Sequence, residues 1–297
     1  MSTAGPRILL TGAAGQLGRE LAALLPACGT LIACDRAVLD LADAAAVARV
    51  VRDTAPQFIV NAAAYTAVDR AETERELAFA INERAPGVLA AEARSLGAVL
   101  IHYSTDYVFD GARSVPYDED AHAAPLNVYG ASKLAGERAI AASGARALTL
   151  RTSWVYARHG QNFLRTMQRL ATQRDELRVV ADQTGVPNWA RAIARATATL
   201  IGRGSDYLAE RAALYHLSAS GSTTWYGFAR MILRDQAVRV TPIATAEYPT
   251  PARRPAYGVL DSSRFARTFG FALPDWETLL QQCLREPAEP PSHSQVN

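Results

Sequence analysis

The alternation of short apolar runs with longer helical stretches in the first half of the chain does most to restrict its fold. Arg7 to Leu10, Leu31 to Cys34, Phe58 to Asn61, Val99 to His102 and Ala147 to Leu150 read as strands. Helical patterns separate them: Gly15 to Leu25, stopped by Pro26, and an Ala-rich stretch from Asp43 to about Thr54, after which Pro56 breaks the chain. A third runs from about Asp69 to Leu96 with Pro86 marking a break inside it, and a fourth from Asn127 to Ala142. Strands this apolar, separated by helices, imply a parallel sheet covered on both faces. Right-handed crossovers then make an α/β fold with a Rossmann-like, doubly wound parallel sheet.

Beyond Arg151 the rhythm loosens, with helical patterns around Asn162–Thr172 and Ala190–Leu200 among aromatics and prolines. A chain of 297 residues has room for one large α/β domain and a smaller partner. The expected division is a dinucleotide-binding domain at 1–150 and a substrate-binding lobe at 151–286 with some segments returning to the first domain. Residues 287–297, rich in proline and polar side chains, read as a flexible tail.

Composition narrows the classes of function. A formal net charge of +2 offers no broad basic face to nucleic acid. No apolar run reaches the ~20 residues a bilayer span needs, and the N-terminus lacks the layout of a secretory signal. The three cysteines, Cys28, Cys34 and Cys283, are odd in number and lack metal-knuckle spacing, and the five histidines form no His-Glu-x-x-His pattern. A reducing compartment, the cytoplasm, is the expectation.

The first strand runs into Thr11-Gly12-Ala13-Ala14-Gly15-Gln16-Leu17-Gly18, a Gly-x-x-Gly-x-x-Gly loop that opens a helix. Gly12 suits the tight turn, Gly15 lets the backbone approach a pyrophosphate, and Gly18 lets helix and strand pack closely. The helix N-terminus offers free N–H groups and positive dipole to phosphates. Asp35, at the end of the second strand, sits near the spacing at which a carboxylate bonds adenosine ribose hydroxyls. That carboxylate favours NADH, whereas Arg36 beside it is placed to neutralise the extra phosphate of NADPH, so both cofactors are compatible with the pair. Asn61-Ala62-Ala63-Ala64-Tyr65, at the end of the third strand, is small-residue backbone on the ligand side of the sheet.

Tyr129 and Lys133, at i and i+4, lie on one face of a helix. A phenol is a poor acid at its ordinary pKa, and an adjacent ammonium stabilises the phenolate. The same lysine is in reach of nicotinamide ribose hydroxyls. The strand before this helix ends His102-Tyr103-Ser104-Thr105, presenting a hydroxyl at the C-terminal edge of the sheet. Glycine loop, hydroxyl and Tyr-Lys pair in this order predict a nicotinamide-dependent oxidoreductase.

Together these residues resemble the extended short-chain dehydrogenase/reductase superfamily. Longer runs narrow the likeness: Asn61 to Asp69, His102 to Phe109, Pro125 to Gly130, Arg151 to Tyr156, Gly221 to Tyr226 and Tyr248 to Pro255. These look like the dTDP-4-dehydrorhamnose reductases, over nearly the whole chain up to about Arg285. The resemblance implies hydride delivery from NADPH or NADH to C4 of dTDP-4-dehydro-6-deoxy-L-mannose, giving dTDP-L-rhamnose for a surface polysaccharide. It implies that Tyr129 protonates the C4 alkoxide, that Lys133 lowers the phenol's pKa and binds ribose, and that Thr105 hydrogen-bonds the same oxygen. Asp106 would help hold the sugar and Trp154 would line its pocket. Gly15, Gln16 and Leu17 would touch pyrophosphate, Asp35, Asp40 and Leu41 the adenosine end, and Ala64, Tyr65 and Thr66 the middle of the cofactor.

Arg253 and Arg254 lie between prolines in a rigid segment, and a diphosphate sugar needs a cationic clamp, so at least one is expected to bind the substrate diphosphate. Some members of the family dimerise through magnesium held by glutamates. Here Arg191 stands where one such acid is expected, although Glu20 remains, so no structural metal is predicted and both monomer and homodimer stay open. Two other functions fit the same fold. A nucleotide-sugar dehydratase would carry Asp-Glu after the threonine, where this chain has Asp106-Tyr107; a C4 epimerase would retain its cofactor through a full cycle. A non-catalytic dinucleotide-binding regulatory subunit would not need Thr105, Tyr129 and Lys133.

Overall fold

The computed structural model describes residues 5–286; the tail read at 287–297 lies outside the described residues. In chain order the first half holds β1 (Arg7–Thr11), α1 (Gln16–Leu24), β2 (Thr30–Cys34), α2 (Ala44–Thr54), β3 (Phe58–Asn61), α3 (Val68–Ala71), α4 (Arg75–Phe79), α5 (Ala85–Leu96), β4 (Val99–Thr105), α6 (Val128–Ser143) and β5 (Arg146–Thr152). The second half adds β6 (Val155–Tyr156), α7 (Phe163–Ala171), β7 (Glu176–Val180), β8 (Thr184–Gly185), β9 (Asn188–Trp189), α8 (Ala190–Ile201), α9 (Ser205–Ala209) and β10 (Ala213–His216). It ends with β11 (Thr223–Thr224), α10 (Trp225–Ile232), β12 (Arg239–Ile243), α11 (Ser263–Phe269) and α12 (Trp276–Arg285).

Six parallel strands form the central sheet in the order β10-β5-β4-β3-β1-β2. Successive side chains of a strand point to opposite faces, and the apolar runs therefore feed two cores at once. Ile8, Leu10, Phe58, Val60, Val99 and Ile101 pack on one face with Leu21 of α1 and Ile193 of α8. Leu9, Ile59 and Leu100, the residues between them, pack on the other with Val47 of α2, Leu89 of α5 and Ile140 of α6. Truncating one such residue to alanine costs about 2–5 kcal/mol.

The chain starts in β1, turns to β2 on one side and then crosses to β3 on the other, so the strand order reverses beside β1. That reversal leaves a crevice outside the carboxyl ends of β1 and β3, where open α/β sheets bind ligands. β4 runs on past its apolar stretch to the hydroxyl of Thr105, its register with β5 continuing to Thr105↔Thr152. One local reading is corrected. Pro86 breaks nothing: it sits in the first turn of α5, where a missing N–H is harmless, and the irregularity is a π turn at Ala80–Arg84 just before it. The sixth strand, β10, comes from the second half and pairs with β5.

Candidate active site

The glycine loop is shaped by contacts that exclude side chains. Gly12 has φ +74°, and a Cβ there would lie 2.6 Å from the Ala63 backbone N. At Gly18 a Cβ would fall 1.9 Å from the Gly12 carbonyl. The loop thus presses against the 62–63 backbone across the crevice, with Gly15 exposed and Leu17 buried. Beside it, Asp35 Oδ1 accepts from the N–H groups of Ala37 (2.9 Å) and Val38 (3.1 Å), folding the turn after β2. Asp40 does the same for Ala42 at 3.0 Å. Arg36 and Thr66 are exposed, and Leu41 is buried beneath the turn. The Tyr65 hydroxyl donates to Glu74 (2.6 Å), and its backbone is clasped by Asn82 of the π turn through N–H to Oδ1 at 2.9 Å and Nδ2–H to C=O at 3.0 Å. Ala62 and Ala64 complete this partly buried wall.

The end of β4 is built differently, from buried side chains. Thr105 accepts from the Tyr107 N–H (3.1 Å) and donates to Asp106 Oδ1 (3.1 Å). Asp106 is almost fully buried, and burial pushes its carboxyl up to about 7 against the pull of Thr105 and backbone N–H groups. Its Oδ2 has no hydrogen-bond partner and faces Gly258, whose absent Cβ would lie 2.4 Å away. Burial also pushes the Tyr129 phenol up to about 12; the Thr105 hydroxyl opposes the shift and Asp106 adds to it. Lys133, one turn further along the same helix, is almost fully buried. Its Nζ is turned to the Tyr103 carbonyl (2.7 Å) and His102 Nε2 (3.2 Å), and burial brings it down to about 8.

The Tyr-Lys helix is positioned at its first turn. Asn127 caps it by accepting from the Gly130 N–H at 2.8 Å, and Glu72 accepts from the Val128 N–H at 2.8 Å. Gly130 lets the Tyr107 carbonyl approach to where a Cβ would be 2.1 Å away, which sets the Tyr107 ring edge-on to Tyr129 at 5.5 Å. Asn127 also donates to the Arg253 carbonyl at 2.7 Å, tying the proline-rich segment to this helix.

The two arginines separate. Arg254 is committed to Asp69 by a two-point ion pair, 3.0 and 2.8 Å. Arg253 is exposed and has no ion-pair partner among the described residues. Trp154 stands at φ +42°, a strained setting for a tryptophan, stacked on Trp225 at 3.5 Å. Gly185 makes room for its indole, since a Cβ there would lie 2.5 Å from the ring.

Four buried polar atoms have no hydrogen-bond partner along one edge of the sheet: Gln16 Oε1, Ser104 Oγ, Asp106 Oδ2 and Thr152 Oγ1. Leaving such a group unpaired costs about 1–3 kcal/mol. Their gathering at the carboxyl ends of β4 and β5 and the start of α1 fits a polar ligand there, and the side-chain-free glycine loop fits a dinucleotide beside it. Away from this edge, Arg191 donates to Glu20 (2.6 Å) and also pairs with Glu286, while His159 meets Glu20 at 3.1 Å. Among the described residues no three His, Cys, Asp or Glu side chains gather as a metal site.

Sequence reasoning missed His102, Asn82, Asn127 and Gly258 as parts of the site. His102 and Asn127 stood inside conspicuous runs, but their roles depend on partners far along the chain. Asn82 and Gly258 carried no local signal.

The model of the RmlD substrate binding domain family matches residues 6–288. A dTDP-4-dehydrorhamnose reductase of Burkholderia thailandensis is 47% identical over 296 residues, covering 94% of this chain and 98% of the relative. One from Escherichia coli K12 is 45% identical over 291 residues, covering 94% and 97%. The crystal structure of dTDP-4-dehydrorhamnose reductase from Bacillus anthracis in complex with NADP superposes with a TM-score of 0.90 at 38% identity, covering 95% of this chain and 100% of that one. The chain therefore belongs to the RmlD substrate binding domain family.

Proposed function

We propose that this protein reduces the C4 keto group of dTDP-4-dehydro-6-deoxy-L-mannose to dTDP-L-rhamnose with NADPH or NADH, the last step in making that nucleotide sugar. The observation that carries the reading is the convergence of Thr105, Asp106, Tyr129 and Lys133 beside the glycine-loop crevice, in a chain 47% identical to a reductase of that name. The dinucleotide, when bound, supplies a hydride to C4.

The chain's own residues do the rest. Tyr129, held as a neutral phenol by burial, donates its O–H proton to the C4 alkoxide as the C–H bond forms. Thr105 hydrogen-bonds the same oxygen, and the Asp106 carboxyl binds the sugar through its unpartnered oxygen. Lys133 binds the nicotinamide ribose hydroxyls and, as ammonium, stabilises the phenolate until solvent returns the proton. Gly15, Gln16 and Leu17 hold pyrophosphate, and Asp35, Arg36, Asp40 and Leu41 meet the adenosine end. Residues 151–286 supply the substrate side, with Trp154 against the sugar and Arg253, the uncommitted arginine of its pair, on the diphosphate.

Among the described residues no helix is long and apolar enough to cross a membrane, and we place the enzyme in the cytoplasm as a monomer or homodimer that does not bind nucleic acid. The Glu20 cluster needs no structural metal because the Arg191 guanidinium already supplies its cation. Added NAD(P)H and the dTDP-4-keto sugar test the function: net loss of reduced-nicotinamide absorbance with formation of dTDP-rhamnose is expected. Sugar conversion without net cofactor oxidation would make the protein an epimerase or dehydratase, and no conversion would revive a regulatory subunit.

A further inference from the structure

Lys133 is the only lysine in the chain; every other basic side chain counted with it is arginine. Arginine stays protonated at any physiological pH, whereas a buried lysine titrates. The single titratable cation of this type therefore sits at the reacting centre, and what it touches decides its charge.

Its partners form a buried chain of fixed polarity. Asn61 Oδ1 accepts from the Thr11 hydroxyl at 2.7 Å and the Ala63 N–H at 3.3 Å. A backbone N–H only donates, so the amide oxygen must face it and Nδ2 must face His102. Asn61 Nδ2 meets His102 Nδ1 at 3.0 Å, which makes Nδ1 the acceptor. Burial alone pushes the imidazole well below its ordinary pKa and keeps it neutral, so its one proton resides on Nε2. That N–H points at Lys133 Nζ, 3.2 Å away. An ammonium has only donors to offer and meets this N–H badly; a neutral amine accepts from it and still donates to the Tyr103 carbonyl.

We propose that His102, locked by Thr11 and Asn61 into its Nε2–H tautomer, is a positioning residue that stabilises the neutral amine of Lys133 relative to its ammonium in the cofactor-free protein. Burial disfavours the ammonium as well, and the remaining charged groups do not. Glu137, one turn on, raises the lysine's pKa and is itself paired with Arg151 of β5 at 2.8 and 2.6 Å. Tyr129, one turn back, is a neutral phenol, and Asp106 lies beside that phenol. Entry of ribose hydroxyls, which can accept from an ammonium, would then raise the protonated fraction of Lys133 as the cofactor binds, most of all near and above pH 8. This last consequence rests on the reductase reading; the tautomer does not.

Because the chain has one lysine, selective 13Cε-lysine labelling of the full-length protein gives a single side-chain resonance to titrate. Without cofactor its midpoint is expected near 8, and a midpoint at the ordinary lysine value would overturn the proposal. The imidazole 15N spectrum, with the His102 signals identified by their loss in His102→Gln, should show Nε2 protonated and Nδ1 bare; the reverse would also overturn it. Asn61→Asp keeps the shape but makes position 61 accept from Nδ1–H. It should move the proton to Nδ1 and raise the lysine midpoint by about one pH unit or more. A raised midpoint with the His102 tautomer unchanged would mean simple charge attraction and contradict the relay. The wild-type spectra decide the matter even if that variant does not fold, and neither spectrum depends on turnover.

Discussion

The two ends of the crevice are built on opposite principles. At the carboxyl end of β1 the recognition surface is backbone: Gly12 and Gly18 are defined by what cannot be there, and the carboxylates of Asp35 and Asp40 are occupied folding their own turns. At the end of β4 it is buried side chain, with Asp106 and Tyr129 pushed above their ordinary pKa values and Lys133 below. The first end binds a molecule common to many enzymes, for which close approach suffices. The second performs a particular proton transfer, for which groups must be held in otherwise unfavourable states.

The largest effect should come from the side-chain end. Tyr129→Phe is expected to lower kcat by about 10²–10⁴-fold while circular dichroism and cofactor affinity stay near wild type. Normal turnover in that variant would remove the proton donor and with it the contrast between the two ends.

Asp106→Asn tests the cost of the buried acid. The folded-state pKa of about 7 lies above the ordinary 3.8, so the folded chain holds more protons between those values. Wild-type stability therefore falls as pH rises through that window, and the penalty is complete above about pH 7. The asparagine variant lacks this penalty. Its melting temperature should exceed wild type at pH 8, by the equivalent of up to about 4 kcal/mol, and the difference should shrink towards pH 4. Activity should fall at the same time, since the sugar loses a carboxyl partner. A pH-independent difference in melting temperature would mean that the acid is not strained.

The backbone end predicts a different response. Gly12→Ala adds a Cβ against the Ala63 backbone at a left-handed φ, a conformational cost of about 1–2 kcal/mol before any collision. The dissociation constant for NAD(P)H should rise at least about tenfold, measured by fluorescence titration, with a lower melting temperature.

The smallest effects separate the arginine pair. Arg253→Ala should raise KM for the nucleotide sugar several-fold and leave the melting temperature alone. Arg254→Ala, which strands Asp69, should instead lower the melting temperature. An unchanged KM in both variants would end the diphosphate role.

This comparison also marks how far the sequence could be read. Apolar alternation gave the six-stranded sheet all but one of its strands, because burial on both faces leaves a strong periodic signal in residues such as Ile8, Leu9 and Leu10. β10 escaped because Ala213-Leu-Tyr-His216 is an edge strand buried only at Tyr215 and His216, without the continuous apolar run of an equally short inner strand such as β3. In the site, the glycine loop and the Tyr129-Lys133 spacing were visible because each is local in sequence. The chain from Thr11 through Asn61 and His102 to Lys133 was not, since it joins four separate elements and exists only once β1, β3, β4 and α6 are packed. The same holds for Arg254, whose pairing with Asp69 joins segments far apart in the chain.

The most direct test of the account follows the hydrogen itself. NAD(P)H deuterated at the transferable position is turned over with the dTDP-4-keto sugar, and the product is analysed by NMR. The account predicts one deuterium per sugar, at C4 of dTDP-L-rhamnose, with the hydroxyl hydrogen drawn from solvent. Deuterium at another carbon, or a product carrying none, would contradict it.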